Sequence, residues 1–83
     1  MNISKEEQRV LHVLAQGGHI RHQRGPNGRI LDADCFTHDG AVLVGCPVTL
    51  IAKLRRKRLI ESRQSGPSRI SHAGRLSVRA QAD

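Results

Sequence analysis

Phe36 is the entire aromatic complement of this 83-residue chain, which has no Trp and no Tyr. The interior must therefore be assembled from Leu, Ile, Val and Ala, side chains that bury less area than a ring. A chain of this length makes one domain, residues 1–83, and such a domain removes only about 60 to 65 % of its unfolded surface from water. Stability is modest, and each long aliphatic residue in a periodic pattern is a candidate for the core. The same scarcity argues against a platform of rings for stacking single-stranded bases.

The clearest element lies in "ISKEEQRVLHVLAQGG". Ser4 and Glu7 have capping-box spacing, Val10, Leu11, Val13 and Leu14 form one apolar stripe, and Gly17 and Gly18 supply a stop. A helix is expected from about residue 5 to 16. "HIRHQR", "GPNG" and "RILDADCFT" read as strand, turn and strand, with Leu31, Ala33 and Cys35 on the core face and Asp32 and Asp34 in water. "HDG" at 38–40 is a second turn, and "AVLV" at 41–44 is a short, wholly apolar strand. Pro47 suits the start of a helix in "PVTLIAKLRRKR". Val48, Leu50, Ile51 and Leu54 then point to the core, and Thr49, Lys53, Arg56 and Lys57 occupy the other side. "LIES" and "RISH" form a hairpin around the Gly-Pro loop "RQSGPS". "HAGRLSVRAQ" is expected to give a short, weak helical turn anchored by Leu76 and Val78, with a flexible tail from about 77 to 83.

The expected fold class is α+β: an N-terminal helix, a small antiparallel sheet, a basic amphipathic helix and a C-terminal β-hairpin wing. Helix followed by basic hairpin is winged-helix-like. Residues 19–44 nonetheless read as strands, where a helix-turn-helix would place its first helix.

Charge is distributed unevenly. Residues 1–52 carry five basic and five acidic side chains, whereas Lys53 to Arg79 carries nine basic residues against Glu61 alone. Lys53, Arg55, Arg56, Lys57 and Arg58 fall within six residues, and such crowding costs stability unless an anionic partner offsets it. The candidate partner- or DNA-binding residues are Thr49, Lys53, Arg56, Lys57 and Arg58 on the helix, with Arg63 and Arg69 flanking the wing.

Other chemistry is poorly supported. The "HIRH" spacing puts its two histidines on opposite faces of a strand, and no close Cys pair accompanies them, so no metal or other cofactor is expected. Asp32 and Asp34 share a strand face but read as two solvated acids near Arg29, and no activated Ser or Cys arrangement is visible. The chain is not expected to be an enzyme. Cys35 and Cys46 read as small buried thiols in a reducing compartment. With no apolar run near the roughly 18 residues of a membrane span and no signal-peptide stretch, the expected address is the cytoplasm. Binding to an anionic membrane ranks last, because the basic helix has no large apolar edge to spare.

Three stretches, "NISKEEQRVLHVLAQGGHI", "GRILDADC" and "KLRRKRLIESRQSGPSRIS" with "VRAQ", resemble the YjhX family of small bacterial proteins along nearly the whole chain. The resemblance implies the toxin half of a toxin-antitoxin pair, a DNA topoisomerase I inhibitor neutralised by a cognate antitoxin that resembles an acetyltransferase. This chain departs from the family in having Ser68, where an aromatic precedes the final Arg-Ile strand. The alternative from the residues themselves is a winged-helix-like transcriptional regulator that lays Thr49, Lys53, Arg56 and Lys57 along duplex DNA.

Overall fold

In the structure, a computed structural model describing residues 3–64 and 66–81, the capping box opens the first helix as expected. Glu7 N–H donates to Ser4 Oγ at 3.1 Å, and Ser4 N–H donates back to the Glu7 carboxylate at 3.1 Å. Helix α1 runs Lys5–Ala15 and buries Val10, Leu11 and Leu14. It closes with a Schellman pair: Gly17 N–H donates to Leu14 O and Gly18 N–H to Val13 O, with Gly17 at φ 104°. A side chain at Gly18 is excluded, since its Cβ would lie 2.5 Å from the Phe36 carbonyl oxygen.

Among the described residues five strands follow: β1 (His19–Arg24), β2 (Ile30–Phe36), β3 (Val42–Leu43), β4 (Ile60–Ser62) and β5 (Ser68–Ile70), with α2 (Val48–Arg56) between β3 and β4 and α3 (His72–Gln81) at the end. They make one antiparallel sheet in the order β3-β2-β1-β5-β4. The expected wing is thus not a separate appendage. Its β5 strand joins β1 through the pair Ile20↔Ser68, and no local signal in the sequence announces so distant a pairing.

All three helices cover one side of this sheet. Ile20, Ala33, Cys35, Ile60 and Ile70 on that side are buried, and they pack with Leu50, Ile51, Leu54 and Leu59 into one aliphatic core. Arg21, Asp32, Glu61 and Arg69 on the opposite side are exposed. Two expectations fail near the edge. Leu31 is 67 % exposed, because the register shifts between Gln23 and Arg24, so Gln23 faces Asp32 and Arg24 faces Ile30. Leu31 is left as the bulged residue, close against Gly25 instead of the core. The apolar run 41–44 likewise gives less strand than expected, since β3 is a two-residue edge, with Val42 and Val44 both exposed.

Helix α3 is longer than the short turn expected. Ser71 supplies a cap that the sequence reading overlooked: its hydroxyl accepts from Gly74 N–H and donates to Arg58 O at 2.7 Å. Gly74, the residue that weakens the helix intrinsically, is what lets it dock, since a Cβ there would stand 2.2 Å from Leu59 O. The chain is helical through Gln81, and the remainder of the expected tail, 82–83, lies outside the described residues.

Candidate functional site

The basic helix α2 presents Thr49, Lys53 and Arg56 on one exposed side while Leu50, Ile51 and Leu54 hold the other in the core. The segment before it is strand, so α2 is not the second helix of a helix-turn-helix. Among the described residues, no carboxylate lies within ion-pair reach of Lys53, Arg55, Arg56 or Arg58. The helix ends in the same hydrogen-bonded motif as α1: Arg58 N–H donates to Arg55 O and Leu59 N–H to Leu54 O, both at 3.0 Å. Here, however, the left-handed position is filled by Arg58, at φ 59°, where glycine is the ordinary choice. Its side chain is exposed.

Lys57 is placed differently from its neighbours. Its Nζ donates to both oxygens of the buried Glu7 carboxylate, at 3.0 and 2.9 Å, and so ties the end of α2 to the first turn of α1. Burial pushes the Glu7 carboxyl up, but the hydrogen bonds from Lys57 and Ser4 outweigh it and hold the group below its ordinary value. One of the residues assigned to the partner face is therefore engaged in holding the two helices together.

Sequence reasoning omitted Arg55, Arg24 and Arg21 from the site. Arg55 is exposed on α2, and together with Arg24 it bears electrostatically on His22, whose Nε2 is 2.7 Å from the hydroxyl of buried Ser68. Burial first, then these two guanidiniums, disfavours protonation of His22. The alternation of β1, which puts His22 and Arg24 on one face, was the available signal. Ser68 is 1 % exposed, so it acts through packing and its hydrogen bond with His22 and not by touching a partner.

Arg21 and Arg69 converge elsewhere, on the uncovered face of the sheet. There the lone aromatic, Phe36, stacks on His19 with centroids 5.2 Å apart, and the Arg21 guanidinium lies 5.9 Å above the Phe36 ring. Burial, then Arg69 and Arg21, lowers the His19 pKa. Arg63 belongs to a third place, a groove between the β4–β5 turn and α3 that Glu61, Arg69 and Arg75 also line. The expected site residues thus occupy the outer side of α2 (Thr49, Lys53, Arg56, with Arg58 beyond its end), the interhelical contact (Lys57) and the hairpin (Arg63, Arg69). Among the described residues, no group of three or more His, Cys, Asp or Glu is placed to hold a metal ion, and no helix is long and apolar enough to cross a membrane.

The family model described as "Putative toxin of bacterial toxin-antitoxin pair", YjhX_toxin, matches residues 1–83. The chain belongs to the YjhX family. A UPF0386 protein of Beijerinckia indica is 69 % identical over 83 residues, covering 100 % of this chain and 98 % of its own length. UPF0386 proteins of Ruegeria sp. and Brucella anthropi are 59 % and 60 % identical, covering 100 % and 98 % of this chain and 98 % and 95 % of their own lengths. No solved structure matches this YjhX-family chain.

Proposed function

We propose that this protein is a non-enzymatic toxin that binds bacterial DNA topoisomerase I through the exposed basic side of α2, stops relaxation or religation, and is held off by a cognate antitoxin. Family membership supports the toxin role, and the resemblance read from the sequence supports the target. The observation that carries the choice of surface is Arg58, an exposed cation kept on left-handed backbone where glycine would cost less. Strain retained under an exposed charge fits a binding surface better than a merely solvated one. Lys53 and Arg56, fixed by the core side of α2, and Arg58, fixed by the turn, would present their cations to acidic groups of the enzyme or to DNA phosphates beside it.

The test is plasmid relaxation by topoisomerase I, with the protein titrated at fixed enzyme and increasing DNA. Half-inhibition is expected to follow enzyme concentration and ignore added DNA. At about 1.5 kcal/mol per charged contact, the double variant Lys53→Glu with Arg56→Glu should need on the order of 100-fold more protein while keeping its melting curve. Lys57 is left out of that variant because its partner is Glu7. Half-inhibition that tracks DNA instead, with affinity falling about 0.9 log units per log unit of salt for each phosphate neutralised, would replace this reading with the DNA-binding regulator.

A further inference from the structure

The two cysteines, 11 positions apart, meet at the junction of sheet and basic helix. Cys35 is fully buried on β2, and Cys46, half-buried, packs against the same core from the residue just before Pro47, the N-cap of α2. The two thiol side chains lie within interaction reach of each other. Arg9 reaches over from α1 and donates to the carbonyls of Val44 and Gly45, both at 3.0 Å, which fixes a guanidinium beside Cys46. Asp34 is the charged group that opposes it from β2.

We infer that Cys46 and Cys35 form a peroxide-reactive thiol pair, with Cys46 as the attacking thiol and Cys35 as the resolving one, converting to an intrachain disulfide. The division of roles follows from placement. Cys46 is the more accessible and lies beside the fixed Arg9 guanidinium, and its contact with Cys35, together with Arg9, favours its thiolate over the opposing effect of burial. Cys35 lies wholly in the interior, where the contact with Cys46 and burial both hold its proton on. In the first step the Cys46 thiolate attacks the distal oxygen of a hydroperoxide; an S–O bond forms, the O–O bond breaks, and the leaving alkoxide or hydroxide takes up a proton. In the second, the Cys35 sulfur, giving up its proton, attacks the Cys46 sulfenic acid; the S–S bond forms, the S–O bond breaks, and water leaves. Two thiols are oxidised by two electrons in all, and the hydroperoxide is reduced to an alcohol, or to water when it is hydrogen peroxide. Because Cys46 immediately precedes the N-cap of α2, the bridge would tether the start of the basic helix to β2.

The experiment treats the full-length protein with hydrogen peroxide and follows intact mass under non-reducing conditions, with peptide mapping and dimedone as a sulfenic-acid trap. The expected product is a monomer lighter by two hydrogens, with a mapped Cys35–Cys46 bridge that dithiothreitol reverses. Cys46→Ser should lose the reaction, whereas Cys35→Ala should stop at a dimedone adduct on Cys46. Circular dichroism confirms that each variant is folded, and if Cys35→Ala fails to fold, the mapped bridge in the unaltered protein decides alone. A product consisting only of intermolecular dimers, or undiminished reaction in folded Cys46→Ser, would overturn the inference. So would an unmodified monomer at peroxide doses that oxidise a free-thiol peptide.

Discussion

Two helices in this molecule end in the same six-residue motif, one with Gly17 and one with Arg58 at the position that demands a left-handed backbone. The comparison isolates what Arg58 costs. A side chain with a Cβ in that region is disfavoured by about 1 to 2 kcal/mol, part of which glycine would return in the entropy of the unfolded chain. Arg58→Gly is therefore expected to stabilise the fold by about 0.5 to 1 kcal/mol, measured as a higher urea midpoint, and to weaken topoisomerase inhibition. A gain in both stability and activity would mean that the exposed guanidinium contributes nothing to binding. The sequence offered Arg58 only as one charge in a basic run; its special backbone was invisible there, because no glycine marks the turn.

At the scale of elements, the joint between α1 and α2 depends on Glu7 and Lys57. Side-chain exposures of 4 % and 29 % make this a mostly buried pair, and removing Lys57 strands a carboxylate in the interior. Lys57→Met should cost about 2 to 3 kcal/mol near neutral pH, somewhat under the range for wholly buried pairs because Lys57 keeps some water. The folded protein binds the Glu7 proton less readily than the unfolded chain does. The pair's contribution is consequently complete above the ordinary carboxylate value of 4.5 and drains away as pH falls through the lowered value. Urea midpoints at pH 7 and pH 3 should converge between parent and variant at the acid end. An unchanged difference at pH 3 would rule out Glu7 as the partner that matters.

Elements with local signals were legible. The capping box and the Gly-Gly stop bracket α1 to within a residue, and Pro47 marks where α2 starts. What escaped was set by partners far along the chain. The fate of Leu31 depends on a bulge in its ladder, the length of α3 on a carbonyl of Leu59 that only glycine can approach, and the role of Lys57 on a carboxylate 50 residues away. Composition identified the basic segment but could not say that its cations would be parted among a helix side, a buried joint and two faces of a sheet.

For the whole molecule, that partition matters because salt screens it. The shortest dimension is 23 Å, nearly three times the Debye length of about 8 Å at physiological ionic strength. Cations on the outer side of α2 and those around Phe36 on the uncovered sheet face therefore act as separate surfaces. The sheet itself is joined less evenly than its five strands imply. Between β1 and β5 there is one paired position, Ile20 with Ser68, while the β1–β2 ladder runs the full length of both strands. The protein is in this sense two hairpins clasped by helices, with a fracture line down the middle of the sheet. Local opening should begin along that line, so amides of the β4–β5 hairpin are expected to exchange with solvent ahead of those in the middle of β2, in a molecule whose far-UV spectrum still reads as folded.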